Sequence, residues 1–182
     1  MTQITLAVSG SISAYKAADI TSRLKKENFD VAVLMTQAAT EFITPLTLQV
    51  LSQRLVGLDI MQEPDPSKVN HINIAKETDL FLLAPATANT IAKLANGLAD
   101  NMVTATALAL PIQTKKILAP AMNTQMYENP ITQQNIDRLK LTGWKTIEPR
   151  EAILACGDQG KGALAEIDTI IDTVKELIYE KT

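Results

Sequence analysis

Ile4-Thr5-Leu6-Ala7-Val8-Ser9-Gly10-Ser11-Ile12-Ser13 is the stretch whose reading decides the fold. Its first five residues form a short, largely apolar run rich in β-branched side chains, which reads as a strand. The run stops at a glycine flanked by hydroxyls, and a helical pattern follows from Ala14 to about Glu27. A glycine and small hydroxyls at such a junction let backbone N–H groups and the helix dipole face an anion, most often phosphate. Ala14, Tyr15 and Lys16 stand where the dinucleotide fingerprint would want further glycines. The residues alone therefore leave Ser11 and Ser13 open between phosphate contacts and ordinary N-caps.

The unit repeats along the chain. Phe29 to Met35 reads as a second strand, with Thr36 able to cap the helical stretch Gln37 to Phe42. Pro45 fits the first turn of a helix through about Arg54, on which Leu46, Val50 and Leu51 share a face expected to be core. Glu63-Pro64-Asp65-Pro66 is a loop, because each proline removes a donor and restricts the residue before it. Asp79 to Ala84 is almost wholly apolar, as a sheet buried on both faces requires. It ends in Pro85-Ala86-Thr87-Ala88-Asn89-Thr90, whose small residues admit a ligand to the backbone and whose Thr87, Asn89 and Thr90 offer donors and acceptors. Helices follow over Ile91 to Asn96, stopped by Gly97, and over Met102 to Leu110.

Lys116 to Ala119 is a fourth strand running into Pro120-Ala121-Met122-Asn123, which repeats the layout seen at Pro85. A helix from Pro130 to about Leu141, a stop at Gly143, a strand over Trp144 to Ile147 and an amphipathic helix over Ile167 to Ile178 complete the series. Strands alternating with helices predict a single-domain α/β fold: a doubly wound parallel sheet, Rossmann-like or flavodoxin-like, with helices on both faces. Ligands in such sheets gather at the carboxyl ends of the strands.

With 182 residues, 46% of them apolar, the chain can build one well-buried core. A net charge of -3 and scattered cations give no basic face, so neither nucleic acid nor an anionic membrane is an evident partner. No apolar run approaches bilayer length, and no signal peptide is expected at the N-terminus. One cysteine excludes an internal disulfide and suits a reducing cytosol, so a cytoplasmic location is expected. One histidine and one cysteine, far apart, offer no protein-ligated zinc site, and no metal is expected. Aromatic residues make up only 4% of the chain, so a flat ligand is expected to need a neighbouring subunit to complete its pocket.

Three residues stand out chemically. Ala155-Cys156-Gly157-Asp158-Gln159-Gly160-Lys161-Gly162 places the only cysteine among three glycines, whose backbone entropy argues for a mobile loop, a flap around residues 152–166, rather than a strand interior. Free cysteine usually behaves as a small buried hydrophobe, yet no apolar run of strand or helix length surrounds this one. His71, the only histidine, lies near the start of a short helix over Ile72 to Lys76, where it is either a capping residue or a proton-transfer group. Asn123 can fix a carboxylate or amide through its NH2 group, or simply form a turn.

Gly10-Ser11-Ile12-Ser13-Ala14-Tyr15-Lys16, His71, Pro85 to Thr90, Pro120 to Asn123 with Met126, and Ala155-Cys156-Gly157-Asp158 occur in this order along essentially the whole chain. In this the chain closely resembles the homo-oligomeric flavin-containing cysteine decarboxylases. The resemblance implies a flavoprotein decarboxylase domain over residues 1–182, with FMN held by Gly10, Ser11, Ser13, Thr36, Phe42, Thr87, Ala88, Asn89, Thr90 and Ala121. The serines and Thr36 would face the phosphate, and Thr87 to Thr90 would lie along the ring and ribityl chain. It also implies a homotrimer or dodecamer with FMN at a subunit interface.

The activity implied is FMN-dependent decarboxylation of 4′-phosphopantothenoylcysteine to 4′-phosphopantetheine in coenzyme A synthesis, with a separate phosphopantothenoylcysteine synthetase upstream. In the family's mechanism the flavin first oxidises the thiol-bearing carbon, which creates a sink for the electrons left when CO2 departs, and then returns its hydride. By resemblance His71 is the base assisting the oxidation, Asn123 holds the substrate carboxylate, and Cys156 donates the proton of the final reduction. Asn123, Met126, Ala155 and Gly157 would contact substrate.

Two positions depart from the family: Tyr127 stands where tryptophan is common, and Ala163 where the fused bacterial enzymes usually have arginine. Three relatives share parts of this pattern. A peptidyl-cysteine decarboxylase or a flavin prenyltransferase would not need the Cys156 flap. A flavin-binding regulator of a phosphatase tends to carry long extensions and to lose a catalytic residue, whereas His71, Asn123 and Cys156 all stand here.

Overall fold

Strands β1 (Gln3–Val8) and β3 (Leu80–Ala86) are buried at every position, which explains why their sequences show no polar alternation. They are the centre of a five-stranded sheet completed by β2 (Asp30–Met35), β4 (Lys115–Pro120) and β5 (Trp144–Thr146). The order is β2-β1-β3-β4-β5, and every neighbouring pair is parallel. This is the flavodoxin-like order, and the expected doubly wound α/β sheet is borne out. The computed structural model describes residues 1–179.

Eight α-helices are described: α1 (Ala17–Lys26), α2 (Pro45–Ser52), α3 (Asn70–Glu77), α4 (Ala88–Ala95), α5 (Met102–Leu108), α6 (Thr124–Glu128), α7 (Pro130–Leu141) and α8 (Ile167–Tyr179). Alternate residues of each strand divide the core in two. Leu6, Val33, Leu82 and Ile117 pack with Ile20, Leu24, Leu48, Ile170 and Val174 of α1, α2 and α8. On the other face, Ala7, Leu34, Phe81 and Leu118 pack with Ile91, Met102, Val103 and Ile136 of α4, α5 and α7. Phe81 meets Trp144 edge-on at 5.9 Å, a pairing worth about 0.5–1.5 kcal/mol beyond the area it buries.

The junction after β1 is tighter than a continuous helix from Ala14. A 3-10 turn over Ile12–Lys16, capped by Ser11, precedes α1. Thr36 caps a second such turn, Gln37–Glu41, and Pro45 and Pro130 each open a helix as expected. The expected core face of α2 is corrected: Leu46 is 65% and Val50 66% exposed and Leu51 is half-buried, while Leu48 is fully buried. The helix is short and only partly covered by the rest of the chain, so a single apolar position reaches the core.

The glycine-rich segment is also corrected. It is an antiparallel hairpin of β6 (Arg150–Ile153) and β7 (Gln159–Ala163), not a loop that excludes strand. Two of its glycines answer close approach. A Cβ at Gly162 would lie 2.2 Å from the Met122 carbonyl oxygen, and one at Gly160 would lie 2.5 Å from Thr124 Oγ1. Glycine in these strand positions lets the hairpin lie directly on the turn that follows β4. Cys156 sits at the tip, in a turn closed by Leu154 N–H to the Asp158 carbonyl and Gly157 N–H to the Leu154 carbonyl, both at 2.8 Å.

Candidate active site

The strand order reverses between β1 and β3, which opens a crevice at their carboxyl ends. Ser9, fully buried, ties the two ends together: its hydroxyl donates to the Pro85 carbonyl at 2.7 Å and accepts from Thr87 N–H at 2.9 Å. Ala121 N–H donates to the Ala86 carbonyl at 3.0 Å and brings in the end of β4. Between these ends lies a cavity of about 670 Å³.

The cavity gathers Gly10, Ser11, Thr36, Phe42, Thr87, Ala88, Asn89, Thr90 and Ala121, nine of the ten residues expected to hold FMN, and also Met126, expected against the substrate. Three of the hydroxyl members are held by local capping. Ser11 Oγ accepts from Ser13 N–H at 3.2 Å, Thr36 Oγ1 from Ala39 N–H at 3.3 Å, and Thr87 Oγ1 from Thr90 N–H at 3.3 Å. Cap and lining residue are therefore the same residue, and the N-cap reading of Ser11 is borne out. At Gly10 a Cβ would stand 2.5 Å from that of Ala38, so the first 3-10 turn and the second close together only over a glycine. Small walls, strand-end hydroxyls and turn N–H groups suit a flat group bearing a phosphate, and the volume is of the usual size for a cofactor site.

Sequence reasoning missed the far rim. Lys93 donates to Asp100 at 2.6 Å, and Asn101 caps α5; all three line the cavity. The hydrogen bond from Lys93 holds the Asp100 carboxyl below its usual range. Only the tertiary contact between α4 and the next loop pairs them.

A second cavity of about 360 Å³ shares Ser11, Ile12 and Met122 with the first. Here the structure places Ser13, expected beside the other FMN residues, together with Lys16, Asn123, Ala155 and Cys156. Asn123 Oδ1 accepts from Gln125 N–H at 2.9 Å and so caps α6. That bond fixes the amide: its Nδ2 points at the hairpin, donating to Cys156 Sγ at 3.3 Å and Asp158 Oδ2 at 3.1 Å. The Cys156 thiol donates to the same Asp158 oxygen at 3.3 Å. Asp158, present in the sequence motif but given no role there, thus closes a triangle with the two candidate catalytic groups. Gly157 supplies its positive φ of 89° to the turn and lines neither cavity.

His71 also lines neither cavity. It lies in the first turn of α3, half-buried, with Nδ1 buried and without a hydrogen-bond partner among the described residues.

The Flavoprotein family matches residues 1–179. This chain belongs to that family. It is 61% identical over 174 residues, 96% of this chain and 97% of the relative, to a Streptococcus mutans protein named "Probable phosphopantothenoylcysteine decarboxylase". It is 45% identical over 179 residues to the "Coenzyme A biosynthesis bifunctional protein CoaBC" of Bacillus subtilis, covering 98% of this chain but only 44% of that one. The chain thus spans less than half the length of this bifunctional relative.

Among solved structures, a cysteine-to-serine mutant of a PPC decarboxylase complexed with pantothenoylaminoethenethiol superposes with a TM-score of 0.87 at 32% identity, covering 99% of both chains. The FMN binding protein AtHal3 superposes with a TM-score of 0.84 at 33% identity, covering 100% of this chain and 98% of that one. The flavoprotein and cysteine-decarboxylase resemblance read from the motifs is borne out. Among the described residues no helix is long and apolar enough to cross a membrane.

Proposed function

We propose that this flavoprotein binds FMN in the larger cavity and decarboxylates 4′-phosphopantothenoylcysteine to 4′-phosphopantetheine in the smaller one beside it, as a step of coenzyme A synthesis. The observation that carries the reading is the convergence of Asn123 and Cys156, 3.3 Å apart, in a cavity that shares a wall with the cofactor-sized one. The printed name of the Streptococcus mutans relative, 61% identical over nearly its full length, supports the choice of substrate.

FMN, when bound, supplies the two-electron sink that makes loss of CO2 from a cysteine-derived carboxylate feasible. Ser11 and Thr36 at the strand ends, with the N–H groups of their turns, receive its phosphate, and Thr87 to Thr90 and Ala121 line the ring and ribityl chain. Ser13, which opens into the smaller cavity, contributes at the boundary between the two.

Asn123 holds the substrate carboxylate through Nδ2, whose direction is set by the cap its Oδ1 makes. Ala155 packs against the substrate, Met126 meets it from the wall of the larger cavity, and Gly157 sets the turn that presents the thiol. Cys156 carries its proton on Sγ at the hairpin tip and delivers it in the closing reduction. His71 acts as the base that assists oxidation, and since it lines neither cavity of its own chain, the partner subunit's His71 serves each site. The assembly that goes with this reading is a homotrimer or dodecamer with the cofactor at the interface. The protein acts in the cytoplasm on the product of a separate phosphopantothenoylcysteine synthetase.

The test is the mass of the product formed anaerobically from 4′-phosphopantothenoylcysteine by purified, flavin-loaded protein. Loss of CO2 alone over many turnovers is expected. Loss of CO2 plus two hydrogens would instead assign an oxidative decarboxylase, and no reaction by flavin-loaded protein would overturn the substrate assignment.

A further inference from the structure

Tyr127 lies in α6, four residues beyond Asn123, and is only 6% exposed. Its hydroxyl reaches Glu148, in the segment that leads from β5 into the hairpin, donating to Oε2 at 2.9 Å. The same carboxylate oxygen accepts from Lys161 Nζ of β7 at 2.6 Å, and that ammonium lies 5.5 Å from the centre of the Tyr127 ring. One carboxylate thus joins the helix that carries Asn123 to the hairpin arm that follows Cys156. Beneath this bridge Met122 N–H donates to the Gly162 carbonyl at 2.9 Å.

We infer that Tyr127, Glu148 and Lys161 form a latch that holds the Cys156 hairpin against the Asn123 helix and sets how long the two stay together during a turnover. The inference rests on the function proposed above for its chemical consequence, but not for the latch itself. Tyr127 and Glu148 are positioning residues: they act on Cys156 through the hairpin. The Lys161–Glu148 pair is itself exposed, at 38% and 57%, and the Tyr127 hydroxyl adds a part-buried, charge-assisted hydrogen bond to it, so the bridge resists opening more than that ion pair alone would. An early opening separates the thiol from the site before its proton is delivered. The decarboxylated compound then leaves two hydrogens short of the finished product, and the two electrons retained on the flavin pass to dioxygen, which becomes hydrogen peroxide.

The test uses the holoenzyme with Tyr127→Phe, Glu148→Gln and the double variant, read in two ways. Amide hydrogen exchange of residues 122–127 and 150–163 is expected to quicken about 5- to 30-fold, the factor that one or two lost polar contacts supply, with β1 and β3 unchanged. Glu148→Gln keeps an acceptor for Tyr127 but loses the charge facing Lys161, so its effect is smaller than that of Tyr127→Phe. In air, the share of product lacking both CO2 and two hydrogens rises in the same order. Exchange and product share both unchanged would overturn the latch, as would exchange rising equally in β1 and β3. If the parent protein releases no CO2, the proposed reaction fails while hydrogen exchange alone still decides the latch.

Discussion

Gly162 and Met122 meet backbone to backbone: the Met122 N–H donates to the Gly162 carbonyl at 2.9 Å, and a β-carbon on Gly162 would lie 2.2 Å from the Met122 oxygen. Met122 borders both cavities, so this contact aligns the cysteine hairpin with the cofactor-sized pocket. Gly162→Ala should lift the hairpin off, because the atom it would strike is main chain. The local cost is about 1–3 kcal/mol, of the size seen for overpacking. Finished product should fall more than tenfold, while thermal unfolding of the core, followed by Trp144 fluorescence, moves by only a few degrees.

Cys156→Ser and Asn123→Asp should separate two stages of the reaction. The serine variant should still release CO2 but stop at a product short of two hydrogens, visible by mass. Asn123→Asp replaces the donor that faces Asp158 with a second carboxylate and sets like charges together at the substrate's carboxyl group. Release of CO2 should itself fall, on the order of 100-fold for the loss of a charge-assisted hydrogen bond. A serine variant that makes finished product at the parental rate would remove Cys156 from the proton-donor role.

The pH dependence of hairpin docking follows from Tyr127 and Glu148. The hydrogen bond from Lys161 holds the Glu148 carboxyl below its ordinary 4.5, so its contribution is present above that value and is lost as pH falls through the lower folded one. Burial, aided by the Glu148 carboxylate, pushes Tyr127 from 10 up to about 12. That contribution is complete below pH 10 and is lost as pH rises toward 12. Hydrogen exchange at Met122, corrected for intrinsic rate, should therefore be flat from about pH 5 to 9 and rise beyond each end. The ultraviolet titration of the protein, compared with Tyr127→Phe, should show one tyrosine ionising late.

Gly10→Ala should weaken flavin binding without unfolding the sheet. Its new methyl would press on Ala38 at 2.5 Å and drive apart the two turns that carry Ser11 and Thr36. The phosphate site loses its convergence, and flavin retained on purification, read from visible absorbance, should drop at least tenfold.

Much of this molecule is legible from near neighbours in the sequence. Unalternating apolar runs mark strands buried on both faces, Thr36 and Thr87 cap the turns they precede, and Pro45 and Pro130 open helices. These features rest on interactions spanning a few residues, and their order along the chain determined a parallel α/β sheet with its ligand site at the strand ends. The hydroxyls of Ser11 and Thr36 after two strands, and of Thr87 and Thr90 after a third, marked much of the large cavity's polar lining in advance.

Only the tertiary structure decided the remainder. The glycines at 160 and 162 argue for a loop until Thr124 and the Met122 carbonyl, more than thirty residues away, are seen to occupy the space a side chain would need. The buried position of Leu48 and the exposure of Leu46 depend on how far α2 is covered by the rest of the chain. Asn123 acquires its direction from its cap and its partners from a hairpin 33 and 35 positions further on. Local sequence determines which backbone conformation is affordable; which side chains share a cavity is set by contacts between distant segments, and those form only once the sheet has aligned them.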